Sequence, residues 1–391
     1  MIRGDMRRFR RDPLGFIENL SRCNPAGVFR LPWGAWCVSD ADLARVVLRD
    51  PGFNEGMPRF FGTLLPSRSA QVGLGRAVRD TLQARMPEYR DGLAAAVAEL
   101  PAVSQWPAAG MKLVYRCTAD LLLHPDAPPR LRRLMEQSVH GGLMIRSPRV
   151  RQRAWAEVLR SKLLPAVTEQ VRERREEGAG VGEPRDVLDV VIGACPNEVT
   201  NRAVADLYVL LFRSTVGTVG YSVAWSVLLA GLHHVSGSPW PWPADWVVRE
   251  AARHRPVVWM VGRPAPRPIE FGGVPFQPGT ILSVCPYLLH HDEHRWTHPD
   301  VFRPERWAEP GGRGSYLPFS AGPFVCAGAS VAHTLITEAV TGLASDAHLT
   351  VTGGDTRPIV TNAAIPRPFT LYRTTKPPIR PTPLGGGGEQ P

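Results

Sequence analysis

The chain has 391 residues, of which 43% are apolar and 21% charged. That is the balance of a folded globular protein and not of a low-complexity or disordered one. Its formal charge is +10, and only three of its 46 basic residues are lysine. Such basicity fits either a solvated arginine-rich surface or a face that steers an acidic protein; no dense basic block or zinc-finger spacing points to nucleic acid. The six cysteines (Cys23, Cys37, Cys117, Cys195, Cys285 and Cys326) form no C-x-x-C pair and are widely spread, which excludes a disulfide framework and a zinc site.

In chain order, the start "MIRGDMRRFRRDPLGF" is charged and does not have the form of a signal peptide. Residues 28–38 predict two short strands around a turn at Gly34, followed by a helix over 40–50. From about 75 the pattern is helical, over 75–100, 130–144 and 154–177, with a glycine-bearing loop at 177–186. A long helix is predicted over 198–232. Its stretch Ser214–Leu232 is uncharged and long enough to span a bilayer. Glycine, threonine and serine crowd the first nine positions of that stretch and Arg213 abuts it, so a buried central helix of a large protein is expected instead. The next helix, 243–254, opens with Pro243 and Asp245, both suited to a first turn. Residues 267–284 alternate and carry glycine turns, as a small sheet does. Residues 290–307 are irregular and aromatic, and the tail 376–391 has no core-forming residues and is expected to be disordered. There is no internal repeat and no βαβ rhythm. The fold class is mainly α with small β-sheets, as one domain over 1–375.

Within "LPFSAGPFVCAGASVAH", residues 317–333, one cysteine sits in a glycine-rich turn ahead of a helical run. Gly322 and Gly328 supply left-handed backbone or close approach around Cys326. A free cysteine on its own is a small buried hydrophobe. Three other segments change that reading: Glu250-Ala-Ala-Arg253, whose i,i+3 spacing puts both side chains on one helix face; "HPDVFRPERW" at 298–307; and "VGRPAPRPIEFGGVPFQPGT" at 261–280.

Together these resemble the cytochrome P450 superfamily over roughly residues 10–373. The pattern Phe319-x-x-Gly322-x-x-x-Cys326-x-Gly328 resembles its haem-ligand loop. The resemblance implies that Cys326 is the axial thiolate of the iron of haem b, an electron-rich ligand that favours O–O cleavage. Phe319 would cover the ring, and backbone N–H groups would tune the sulfur. Glu250 and Arg253 match the family's E-x-x-R, with Arg306 as the arginine that joins them; these three are expected to be structural. Arg263 matches a propionate-binding arginine, whose planar fork suits a carboxylate. Gly75-x-x-x-Arg79 aligns with H-x-x-x-R, so Arg79 fits the second propionate and the histidine is replaced by Gly75. Phe324 stands where the family usually has histidine or arginine. In the long helix the family's A-G-x-(D/E)-T falls on Ser214-Thr215-Val216-Gly217-Thr218. Thr218 keeps the alcohol and Gly217 replaces the acid of the pair that delivers protons during oxygen activation. Water, or a group on the substrate, would then carry them. A helical threonine can also simply bond its own turn. Candidate pocket residues are Phe60, Phe61, Leu64, Val216, Val258, Trp259, Met260, Ala363 and Ala364.

The implied activity is oxidation of a small hydrophobic, natural-product-type substrate with O2, in a cytoplasmic bacterial enzyme. Electrons would come from a separate acidic ferredoxin or flavodoxin, with neither membrane nor nucleic acid involved. The alternatives are an atypical member that couples, cyclises or desaturates its substrate, and a non-enzymatic haem sensor or carrier.

Overall fold

Helix starts are set by side-chain oxygens placed to accept from the first turn. Asp40 Oδ1 accepts from the Leu43 N–H at 2.7 Å and opens the helix Ala41–Arg49. Ser67 Oγ accepts from Ala70 N–H at 3.1 Å and opens Arg68–Ala84. Thr200 Oγ1 accepts from Ala203 N–H at 3.2 Å and opens Asn201–Arg213. The computed structural model describes residues 3–55, 64–65, 67–144, 149–178, 182–234, 239–309 and 314–375. Phe60, Phe61 and the tail 376–391 lie outside them.

The helical body differs from the sequence expectation in extent more than in kind. The helix expected from 75 begins at Arg68, ends at Ala84 and resumes as Met86–Ala98. The longer helices that sequence reading passed over are Arg3–Arg11, Pro13–Arg22, Ala108–Leu122 and Val187–Ala194. The first of these is mostly charged, so its packing onto the rest through Phe9 gives it a reason to form. Pro129–His140 and Val150–Glu176 complete the layer that overlies the long helix.

That helix runs from Asn201 to His233 in three parts: α-helical to Arg213, a π turn over Ser214–Thr218, and α-helical again from Val219. Among the described residues it is the one helix long and apolar enough to cross a membrane, and 72% of its most apolar stretch is buried inside the protein. It crosses Ala108–Leu122 at two glycines. A Cβ on Gly220 would lie 2.8 Å from Met111 Cα, and one on Gly110 would lie 2.9 Å from the Gly220 carbonyl oxygen. No side chain fits at either position.

The β portion is peripheral. A four-stranded sheet has the order Val28–Arg30, Trp36–Val38, Ile281–Val284, Val261–Pro264. Its central pairing, Cys37 to Ser283, is parallel, and Arg263 pairs with Leu282 on its edge. A three-stranded sheet joins Val103–Trp106, Phe369–Thr375 and Ala347–Thr352. Two hairpins complete it, one of them Ile359–Val360 with Ala364–Ile365. That hairpin is tied to the long helix by Trp225 Nε1–H, which donates to the Ala364 carbonyl at 3.0 Å.

Candidate functional site

Cys326 is presented by a turn that leaves its backbone little freedom. Its N–H donates to the Phe319 carbonyl at 3.0 Å, and the Val325 N–H donates to Gly322 at 3.1 Å. Gly322 has φ of 72°, and a Cβ there would lie 2.0 Å from the Leu48 carbonyl oxygen, so the turn is pressed onto the helix Ala41–Arg49. Cys326 is exposed as a residue. Enough protein still surrounds the sulfur for desolvation to push its pKa up, against the Gly328 N–H that bonds it and pulls it down. Helix Ala329–Ala344 begins three residues later.

The start of this loop is pinned to the interior. Leu317 N–H donates to His290 Nε2 at 2.8 Å, and the Nδ1 of the same ring lies 3.0 Å from the Arg253 carbonyl oxygen. A carbonyl can only accept, so Nδ1 carries the proton and Nε2 the lone pair. The ring is fully buried, and burial with the Arg253 charge lowers its pKa to about 3. His290 ends a five-residue helix, Pro286–His290, that sequence reading passed over, and opens the stretch 290–307 read as irregular.

Arg253 itself belongs to a buried charge cluster. Glu250 Oε1 receives Arg253 Nη2 at 2.8 Å and Arg306 Nε at 3.0 Å, and Oε2 receives the indole N–H of Trp307 at 3.1 Å. Glu250 and Arg253 are 0% exposed. Two guanidiniums face one carboxylate. The surplus donors are taken by backbone carbonyls of Thr297, His298, Val301 and His290. The residues Glu250, Arg253 and Arg306 are therefore brought together as one scaffold for the irregular stretch 290–307.

Three histidines next to these arginines are held neutral. His254 and His291 have pKa values well below the usual range, with burial as the first cause, as at His290. Each depressed pKa gives stability that is present above the unfolded value and is lost as pH falls towards the folded one. For His290 that window runs from 6.5 down to about 3. Thermal unfolding should show a lower Tm at pH 5.5 than at 7.5, with His290 contributing about 1.4 kcal/mol per pH unit below its unfolded pKa. In His290→Gln the drop should be smaller; an equal drop would place the effect elsewhere.

Helix Arg68–Ala84 lies against the cysteine turn. Arg68 Nη2 donates to the Pro323 carbonyl at 3.3 Å, and a Cβ on Gly75 would lie 2.7 Å from Ala327 Cβ. Between them, Gln71 is buried, and its Nε2 has no partner among the described residues. Arg79 lies one turn beyond Gly75 and forks onto Asp80 at 2.9 and 2.7 Å, with 38% of its side chain exposed. Arg68, bonded to the cysteine turn, and the buried Gln71 are polar groups of this helix that sequence reading passed over. Arg263 is buried, its Nη1 donating to Gly262 O at 2.9 Å. Arg68 and Arg263 approach the Phe324 ring at 5.1 and 5.3 Å. Burial lowers the Arg263 pKa.

On the long helix, Ser214, Thr215 and Thr218 are partly open although Val216 is 0% exposed and packs into the main core. Ser222 Oγ donates to the Thr218 carbonyl at 2.9 Å, and Ser226 repeats the pattern one turn on. The Thr218 hydroxyl makes no such bond. Gly217 packs on Met144: a Cβ at 217 would meet Met144 Cβ at 3.1 Å and its carbonyl at 3.3 Å.

Several pocket candidates turn elsewhere. Trp259 is 7% exposed and packs with Phe9 at 6.2 Å in an N-terminal cluster, with Met260 against it. Ala363 and Ala364 are buried at the hairpin, and Val216 is closed off as noted. Their apolar character reflects core packing. Val258 is open at 41%, and Leu64 lies against the main core.

A mainly α body around one interrupted central helix, with a cysteine turn pinned to an E-x-x-R cluster, is the architecture of the cytochrome P450 fold. Solved structures agree. A zebra fish cytochrome P450 with progesterone has a TM-score of 0.74 at 21% identity, covering 93% of this chain and 99% of that one. P450BioI with an acyl carrier protein has 0.72 at 15%, covering 93% and 98%. A mutant of P450 EryK with erythromycin B has 0.69 at 19%, covering 94% and 97%. The cytochrome P450 sequence family matches residues 244–359. Cyclooctatin synthase of Streptomyces melanosporofaciens is 29% identical over 191 residues, 42% of each chain. Steroid 17-alpha-hydroxylase/17,20 lyase of Bison bison is 39% identical over 92 residues, 22% of this chain and 18% of that one. The chain thus aligns with less than half the length of these curated relatives. Its fold is that of the cytochromes P450, and its residues 244–359 match that family, whose cofactor is haem.

The residues present fit that group. Gln71 Nε2 is a buried donor without a partner, Arg68 and Arg263 bracket Phe324, and Gly75 leaves the helix face bare beside Ala327. These are the donors and the close approach that a flat ring with carboxylate arms requires.

Proposed function

We propose that the chain is a haem b thiolate oxidase acting on a small hydrophobic, natural-product-type molecule, with Cys326 as iron ligand and Phe319 against the ring. The observation that carries this is the Cys326 turn, which offers one exposed cysteine while its backbone is fixed at Phe319, Gly322 and Leu317. Gly328 supplies the N–H that favours the thiolate. Arg68, Gln71 and Arg263 hold the carboxylate arms; Arg79, engaged with Asp80, contributes at longer range. When bound, haem supplies the activation of O2, using two electrons and two protons. Thr218, whose hydroxyl is not spent within its helix, holds water at the distal wall. Gly217 contributes no acid, so protons come through water or from a group on the substrate.

Gly217 also supports a second reading. A site with no acid delivers protons slowly, which favours coupling, ring closure or desaturation over hydroxylation. The test is product mass. Holoenzyme with a surrogate ferredoxin, NAD(P)H and a substrate panel gives a product with one added oxygen atom if it hydroxylates. Loss of two hydrogens marks the second reading. Consumption of neither O2 nor substrate would overturn both in favour of a sensor or carrier.

The electron donor is proposed to be an acidic ferredoxin or flavodoxin, in the cytoplasm, docking over Val72 and Val325. Both are exposed beside the exposed Arg68 and Arg76. Exposed charges are screened over about 8–10 Å near physiological ionic strength. Turnover at limiting partner should therefore fall as salt rises, and Arg76→Glu should reduce kcat/KM for the partner several-fold with the haem spectrum unchanged. A flat salt profile would rule out this docking.

A further inference from the structure

The central helix carries one charge near its middle. Arg213 closes the α-helical run just before the π turn. It is partly buried, and its Nε–H is enclosed without a partner. Burial pulls its pKa down, and the like charge of Arg160 pulls it further in the same direction. Among the described residues no carboxylate offsets this. Asp206, on the same helix, pairs with Arg202 at 3.3 Å. Glu169 and Glu176, on the helix that carries Arg160, both bond Arg172. Glu157, one turn before Arg160, is exposed. Enclosing a cation beside a second cation is unfavourable unless an anion completes the set.

The position is informative. Arg213 and Gly217 are four residues apart, and Gly217 abuts Met144, so this face looks towards the segment Gly141–Met144. Arg160 lies beyond it on the helix Val150–Glu176 and is exposed. The partly open Ser214, Thr215 and Thr218 follow directly in the chain. An anion held here would have one side on the distal wall at Thr218 and the other towards the exposed Arg160.

We propose that Arg213, supported by Arg160, binds an anionic group of the substrate, a carboxylate or a phosphate. This rests on reading 214–218 as the distal wall. The guanidinium fork takes such a group through two parallel hydrogen bonds. The apolar body of the substrate then points inward along Thr215 and Thr218, and the charged end lies under Arg160.

The test uses matched probes on the holoenzyme: benzoate against benzamide, dodecanoate against dodecanamide, and dodecyl phosphate against dodecanol. Binding is read by calorimetry and by the haem Soret shift. At least one anion should bind about tenfold or more tighter than its neutral twin, as charged hydrogen bonds typically give. The carboxylate and phosphate arms identify which anion is preferred. Arg213→Gln should abolish the preference, Arg213→Lys should keep part of it, and Arg160→Gln should weaken it several-fold. Equal binding of all twins by the parent, no binding of any anion, or a preference that survives Arg213→Gln would overturn the proposal. The reduced carbonyl spectrum of each sample separates this failure from failure of the haem-thiolate reading, because calorimetry reports the anion without it.

Discussion

Cys326→Ala is expected to abolish the strongly red-shifted Soret band of the reduced carbonyl complex, while the parent shows it in full. No other sulfur can replace this one. Cys37, Cys117, Cys195 and Cys285 are buried, and desolvation pushes the thiols of Cys117 and Cys195 up to about 12 and about 11. Cys23 is exposed but caps the helix Pro13–Arg22, far along the chain from the turn. Helix content of the variant should match the parent by circular dichroism, since the turn is held by backbone bonds that alanine keeps. A thiolate-type band from Cys326→Ala would overturn the assignment. Loss of the band in Cys23→Ala or Cys285→Ala, with the fold intact, would do the same.

Glu250→Ala should cost the fold far more than an ordinary surface change. It removes the one carboxylate that faces Arg253 and Arg306, and it strands the Trp307 indole N–H and the Arg303 N–H as well. Breaking a buried ion pair from one side costs about 3–5 kcal/mol. Total stability is commonly about 5–15 kcal/mol. The variant should express poorly, unfold at a much lower denaturant midpoint and carry little haem. Asp42→Asn is the comparison, because its pair with Arg45 is exposed on both sides and such pairs contribute about 0–1 kcal/mol. Equal midpoints for the two variants would show that the cluster does not hold the structure.

What could be read from the sequence follows from how local each signal is. A cysteine between two glycines declares a turn, because only glycine accepts the Gly322 conformation against the Leu48 carbonyl. Glu250 and Arg253 declare themselves by an i,i+3 spacing. The long helix declares its length through composition. What escaped depends on how elements meet. Nothing in "SRSAQVGLGRAVRD" says which turn of that helix faces Ala327, so sequence reading selects Arg79 from its motif and does not reach Arg68 and Gln71. His290 reads as one histidine among several in an irregular stretch; its role comes from two partners 37 and 27 residues away. Trp259 has the hydrophobicity of a pocket residue, yet Phe9 claims it, and that contact joins residues separated by well over half of the chain.

The π turn at Ser214–Thr218 has a consequence for the geometry of the whole central rod. One extra residue in a turn advances everything after it by about 100° around the axis. The two halves of the 33-residue helix are therefore out of phase, and no single helical wheel describes both. The first half can aim Arg213 at the overlying layer, while the second keeps Trp225 aimed at the Ala364 hairpin. Deleting one residue between 214 and 218 would bring the halves back into step, and would swing either Arg213 or Trp225 away from its neighbour.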